Sequence, residues 1–284
     1  MPETIGFVGL GHMGGAMAGR FLGAGHPVVG TARRRERVQP LVDRGLRWCD
    51  APGEVAKAAD VVLTSLPDDH ALESVAGALM KALGPGKVWV ELSTVSPRVS
   101  RGLAERVRAR GGQMLDAPVS GSVPQVEAGT LTIMVGGDAA AYATVEPLLR
   151  LLGTPTRIGD SGQGLVLKLA INISLAVQML AFSEGLVLAE RAGIDARRAG
   201  EVMASSAIGS PMLRARLPLV LDGQDEAWFD IGLMHKDIGL ALATARERGV
   251  ALPTARVADE VLARAGELGF EHRDIAALHE VLGR

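Results

Sequence analysis

The run GQGLVLKLAINI, residues 162 to 173, sets Lys168 and Asn172 among Gly, Leu, Val, Ile and Ala. In a helix, residues four apart project from one face, one above the other. A buried, unpartnered ammonium is costly or loses its proton, so this pair needs either a partner or a job. Three more clusters have residue types suited to chemistry. Gly9-x-Gly11-x-x-Gly14 has the spacing of a phosphate-cradling turn. Ser120-Gly121-Ser122 offers two hydroxyls and the backbone N–H groups of a Gly-containing turn, donors of the kind an anion takes. Lys236-Asp237 sets a second cation beside an acid.

Positioning these clusters requires regular elements. From residue 4 to about 158, short apolar runs rich in β-branched residues (TIGFVG, PVVGT, DVVLTSLP, KVWVELST, QMLDAP, LTIMVGG and TRIG) alternate with helical patterns. Apolar strands separated by crossover helices predict a parallel sheet covered on both faces. After GDSGQG, residues 159 to 164, the pattern is helical with almost no strand signal. The first of these helices is expected to start after Gly162 or Gly164 and to run to about Arg191, where AGID supplies a Gly stop and an Asp start. The fold class is therefore α/β: an N-terminal Rossmann-like parallel-sheet domain over residues 1–161, then an all-α domain over 162–284 built on a long inter-domain helix.

Within this frame the glycine turn follows a strand and precedes a helix. That context reads as a dinucleotide site, with the helix N-terminus offering N–H groups and a positive dipole end to a pyrophosphate. The whole loop, Gly9, Leu10, Gly11, His12, Met13 and Gly14, forms the expected cradle, His12 serving as a spacer whose backbone matters. At the end of the next strand an NAD-selective site would present an acid to the ribose; VVGTARRR presents Arg33, Arg34 and Arg35 instead. Guanidinium pairs bidentately with phosphate, which favours NADP over NAD.

Composition sets outer limits. The 284 residues are 48% hydrophobic, and 30 Lys+Arg against 32 Asp+Glu leave a net charge of -2. Such a chain has no general field to gather nucleic acid or an anionic membrane. Cys49 is the one cysteine, so no intramolecular disulfide forms. The N-terminus shows no secretory pattern, and a cytoplasmic location is the default expectation. The long apolar stretch from 164 to 189 carries Lys168, Asn172, Gln178 and Glu184, which argues for a buried helix rather than a membrane span. The six histidines are scattered without metal-ligand spacing, so no metal is expected.

Taken in order, GFVGLGHMGGAMA, DAPVSGSVPQVEAGTLTIMVGG (116 to 137), GQGLVLKLAINI and HKDIGLALATARERGVALP (235 to 253) resemble the four motifs of the β-hydroxyacid dehydrogenase family, nearly end to end. The resemblance implies hydride transfer between nicotinamide and a short carboxylate substrate. It makes Lys168 the acid/base that protonates the nascent alkoxide, with a pKa lowered towards working pH by partial burial. Asn172 would hold the lysine or the reacting oxygen. Ser120, Gly121 and Ser122 would grip the substrate carboxylate. Lys236 would reach cofactor or substrate, with Asp237 holding the local geometry. Leu66-Pro67 and Ser93-Thr94 end two strands, where ligands of open parallel sheets sit, and Thr94 is the stronger cofactor contact. Family members commonly form homodimers or homotetramers, and one of these is expected.

Two departures stand out. Thr31-Ala32 replaces the aromatic and Asn frequent in relatives, which leaves Arg34 as well as Arg33 a phosphate ligand. Ser122 replaces a frequent Gly, so the substrate pocket differs there. Two other readings fit parts of the chain: an imine reductase on the same scaffold, against which Lys168 counts, and a non-catalytic NADP-binding module, which has no use for a proton donor.

Overall fold

The computed structural model describes residues 3–223 and 227–284; the first two residues of the N-terminal segment read above lie outside them. The described residues fall into two compact units, one up to Lys168 and the other from Leu169 to Arg284.

In the first unit, strands β1 (Ile5–Val8), β2 (Val28–Thr31), β3 (Arg47–Trp48), β4 (Val61–Thr64), β5 (Val88–Glu91), β6 (Gln113–Asp116), β7 (Val119–Ser120), β8 (Leu131–Gly136) and β9 (Gly153–Gly159) build one sheet. The helices of this unit are α1 (His12–Gly23), α2 (Gln39–Asp43), α3 (Pro52–Ala58), α4 (Asp69–Met80), α5 (Pro97–Arg108), α6 (Val123–Ala128) and α7 (Ala139–Leu149). The sheet order is β3-β2-β1-β4-β5-β6-β8-β7, with β9 on β8. Reversal of the order at β1 makes this a doubly wound sheet. From β3 to β6 every pairing is parallel. The all-parallel expectation fails beyond β6, because β8 runs antiparallel to both β6 and β7.

Side-chain alternation explains why helices cover both faces. Ile5, Phe7, Val61, Leu63, Val88, Val90 and Leu115 enter one core, while Val8, Val62, Trp89 and Met114 enter another on the opposite face. A strand buried on both sides must be apolar at successive positions, and these are.

Helix α8 (Gln163–Arg191) starts and stops where the glycines predict. Gly193 follows it at φ +83, and the Asp195 side chain then accepts from Arg198 N at 2.9 Å to start the next helix. The second unit is helical: α9 (Ala196–Ser205), α10 (Pro211–Asp222), α11 (Ile231–Glu247), α12 (Pro253–Glu267) and α13 (Leu278–Gly283) pack with the C-terminal part of α8. Ala176, Met179, Phe182 and Leu186 of α8 meet Met234, Ile238, Ala258, Leu262 and Phe270 in its core. By length and hydropathy α8 could cross a membrane. The expectation that it is buried holds for one side only: Leu167 is 37% exposed and Leu188 72%. Its apolar residues lie all round the axis, so burial follows the packing of neighbours rather than the helix's own pattern.

Candidate active site

Four parallel strands end in register. Val8 pairs with Thr64, Thr64 with Glu91 and Glu91 with Asp116. The backbone ladder continues one step beyond each end: Ser65 N donates to Val8 O, Leu92 N to Thr64 O and Ala117 N to Glu91 O. The segments carrying Gly9–Gly14, Leu66-Pro67, Ser93-Thr94 and Ser120–Ser122 therefore emerge at one edge of the sheet, its carboxyl edge. In open α/β sheets this is where ligands bind.

At the first of these turns the three glycines have separate reasons. Gly9 has φ +95, and a Cβ on it would sit 2.2 Å from Ser65 O. A Cβ on Gly14 would sit 2.0 Å from Gly9 O, so only glycine lets α1 start this close to the strand. Around Gly11, its chain neighbours aside, no atom of the described residues lies within 4 Å of the built Cβ. Gly11 is the N-cap of α1 and supplies no side-chain cap. An uncapped helix start facing open space fits a pyrophosphate. Leu10 turns into the core, 6% exposed, whereas His12 is exposed. After β2, Arg33 and Arg34 are exposed, and Arg35 lies with its guanidinium 5.5 Å from the Trp48 ring centroid.

Beneath the neighbouring turns lies a buried polar chain. Trp89 Nε1 donates to Thr64 Oγ1 at 2.8 Å, and the Thr64 hydroxyl donates to Glu91 Oε2. Ser93 N donates to Glu91 Oε1 at 2.7 Å, and Ser93 Oγ accepts from Leu66 N at 2.7 Å. One carboxylate thus ties the Leu66-Pro67 and Ser93-Thr94 segments together. Glu91 is fully buried, and burial pushes its pKa up to about 7 against the lowering effect of hydrogen bonds from Ser93 and Thr64. Asp116, its in-register neighbour, adds a smaller like-charge push. Burial likewise raises the Asp116 carboxyl, opposed by the N–H groups of Gly162 and Leu165.

In the substrate-type loop, Ser120 ends β7 half-buried and Gly121 stands at φ +129. Ser122 is spoken for. Its N–H donates to Gln125 Oε1 at 2.9 Å and its hydroxyl donates to the same oxygen at 2.8 Å. Those two donors, expected for an anion, instead close the start of α6.

On α8, Lys168 is 9% exposed and Asn172, one turn on, is fully buried. Asn172 Nδ2 donates to Asp237 Oδ2 at 2.6 Å, and Asp237 Oδ1 pairs with Lys236 Nζ at 2.9 Å. The amide is thereby oriented. Its Oδ1, buried, has no hydrogen-bond partner among the described residues. A buried carbonyl oxygen left over is an acceptor waiting for a donor. The structure thus joins Asn172, Asp237 and Lys236 into one network.

Three residues of this edge are not visible as site residues in the sequence reading: Glu91, Asp116 and Gln125. For Gln125 a signal exists, since Ser122-Val-Pro-Gln125 has the spacing of a capping box. An acid closing an apolar run, as in WVE and QMLD, is the only trace of the other two.

Residues 4–162 match the family model described as the NAD binding domain of 6-phosphogluconate dehydrogenase. Residues 162–282 match the model described as NAD-binding of NADP-dependent 3-hydroxyisobutyrate dehydrogenase. A 2-(hydroxymethyl)glutarate dehydrogenase from Eubacterium barkeri is 33% identical, the match covering 98% of this chain and 94% of that one. Glyoxylate/succinic semialdehyde reductase 1 of Arabidopsis thaliana is 32% identical over 98% of each. Among solved structures, Mycobacterium tuberculosis 3-hydroxyisobutyrate dehydrogenase with L-serine superimposes with a TM-score of 0.90 at 29% identity, each chain covered completely. Because these matches agree over both halves and over the full length, the chain belongs to the β-hydroxyacid dehydrogenase family of NAD(P)-binding oxidoreductases.

Proposed function

We propose that this chain is an NADP-preferring dehydrogenase or reductase acting between a short β-hydroxyacid and the corresponding carboxylate semialdehyde, with Lys168 as general acid/base. The observation that carries the reading is the pairing on α8: a lysine 9% exposed, one turn before an asparagine whose orientation is fixed by Asp237.

A bound nicotinamide dinucleotide would supply or accept the hydride. The chain's own residues do the rest. Carbonyl reduction leaves an alkoxide that must be protonated, and the Lys168 ammonium gives that proton, taking it back from the alcohol in the reverse direction. One N–H of the Asn172 amide goes to Asp237, which turns the unpartnered Oδ1 into the acceptor it can offer to the lysine or to a substrate hydroxyl. With both Ser122 donors held by Gln125, the Ser120 hydroxyl becomes the loop's side-chain donor for a substrate carboxylate. Two features support NADP: exposed Arg33 and Arg34 where an acid would repel a 2′-phosphate, and a matching family described as NADP-dependent. Arg35, laid over Trp48, is the weaker ligand.

Steady-state kinetics with short semialdehydes and hydroxyacids, using both cofactors, tests the whole reading. Lys168→Ala is expected to lower kcat about 10²- to 10⁴-fold while NADPH affinity holds. Wild type is expected to prefer NADPH by roughly ten- to a hundredfold, a preference that Arg33→Ala or Arg34→Ala reduces and that salt weakens. Unchanged turnover in Lys168→Ala removes the acid/base role. Cyclic imines turned over better than any acid would replace this reading with an imine reductase.

A further inference from the structure

Asp116 is the last residue of β6 and the first of the DAPVSG segment, and it is 1% exposed. Its carboxylate does not face the loop that follows it. Oδ1 accepts from Gly162 N at 2.6 Å and Oδ2 accepts from Leu165 N at 3.0 Å. Those two N–H groups belong to the start of α8, whose first turn has no intrahelical acceptors of its own. The cap for the lysine-bearing helix is thus delivered by a strand end 46 residues earlier in the chain.

Around this contact there is no slack. A Cβ on Gly164 would lie 2.2 Å from Met134 O and 2.9 Å from Asp116 Oδ2. One on Gly136, the in-register neighbour of Asp116, would lie 2.6 Å from both carboxylate oxygens. Two glycines, one on β8 and one on α8, let the strand ends and the helix start close on one carboxylate. Lys168 stands three residues after Leu165 and one turn after Gly164. A helix transmits any rotation or slide of its first turn directly to the next, and a misplacement of about 1 Å at a reacting group can cost about a hundredfold in rate.

We infer that Asp116 is a positioning residue for the proton donor: by capping α8 with both carboxylate oxygens it sets the height and rotation at which Lys168 is presented, in register with the substrate loop that leaves the same strand end. This rests on the reading of Lys168 as the acid/base. Asp116 touches neither substrate nor proton in this role; it acts through the helix.

The test is a double-mutant cycle of Asp116→Asn and Lys168→Ala in the full-length protein, with kcat, KM, NADPH affinity by fluorescence and Tm measured for each. Asparagine keeps the shape but turns an NH2 towards one of the two N–H groups, so one cap is lost. Asp116→Asn is expected to lower kcat about ten- to a hundredfold, with KM and NADPH affinity within about twofold. In the Lys168→Ala background the same substitution is expected to change kcat by less than about threefold, because residues acting as one unit are not additive. A general loss of structure would instead multiply through both backgrounds and overturn the inference. So would a folded Asp116→Asn protein with wild-type kcat. Asp116→Ser, which retains a single short acceptor, repeats the cycle if the asparagine variant does not fold, with the same outcomes. Full turnover in Lys168→Ala alone would remove the acid/base reading and not the cap.

Discussion

Two turns at the carboxyl edge of the sheet, each leading from a strand into a helix and each built on glycine, end in opposite ways. The turn after β1 enters α1 through Gly11 with no side-chain cap and, chain neighbours aside, none of the described residues within 4 Å of a Cβ built there. The turn after β7 enters α6 with Ser122 donating twice to Gln125. Six other helices follow the second habit in a simpler form: Asp68, Ser96, Asp138, Asp195, Ser210 and Asp230 each cap a helix with their own side chain. A glycine N-cap such as Gly11 gives up only a few tenths of a kcal/mol against an aspartate or serine. Similar turn chemistry in sequence does not mean similar availability: one turn leaves its N–H groups without a side-chain cap, and the other satisfies itself.

Capping α1 is expected to have the largest effect. Gly11 sits at φ -75 with free space around it, so Gly11→Asp fits without strain. The new carboxylate is expected to stabilise the fold by a few tenths of a kcal/mol as a cap in the helix dipole, and to weaken NADPH binding by about a hundredfold or more through repulsion. Thermal denaturation and fluorescence titration read the two effects. Stability and affinity moving in the same direction would show that α1 does not receive the anion.

A second contrast lies under the turns, where Glu91 serves the Leu66 and Ser93 segments and Asp116 serves α8. Glu91 has its pKa raised from 4.5 to about 7 by burial. Between those values the folded protein keeps a proton that the unfolded chain has lost, so the contribution of Glu91 to stability falls as pH rises through that window and levels off above about 7. The free energy of unfolding of wild type relative to Glu91→Gln is expected to fall by roughly 1–3 kcal/mol from pH 4.5 to 7. Urea titrations at several pH values measure it. A flat difference would mean that the row under the turns is not desolvated as its burial implies.

The smallest effect is expected at the self-satisfied turn. Gln125→Ala removes the acceptor for both Ser122 donors and should cost about 0.5–1 kcal/mol of stability. It also frees the Ser122 hydroxyl, and KM for a carboxylate substrate is expected to drop about two- to tenfold with NADPH affinity unchanged. A KM that rises instead would show that Gln125, not Ser122, serves the substrate.

Much of this architecture is written locally. The start and end of α8 follow from Gly162 and Gly193 flanking an apolar run, because positive φ suits glycine and ends or precedes a helix. Strands β1, β2, β4, β5 and β6 announce themselves by successive apolar residues, as strands buried on both faces must. The glycine turn is legible for the same reason: strand, glycines and helix lie within about twenty residues, Gly14 meeting Gly9 five residues away and Gly9 meeting the end of the adjacent strand, while Gly11 faces open space. Strands β3 and β7, two residues each, are too short to leave a pattern.

What the tertiary structure alone decided is the direction in which polar groups face. A sequence shows Ser122 and Asp116 side by side in one motif as though both served the same loop. Folding sends the hydroxyl of the first to Gln125 and the carboxylate of the second to a helix start 46 residues on. Likewise Asn172 is joined to Asp237 across 65 residues, which fixes the orientation of its amide. Helical and strand periodicity fix the face on which a residue lies, because that depends only on backbone geometry. Partners of buried polar groups depend on which distant donors come within about 3 Å, and only packing brings them there.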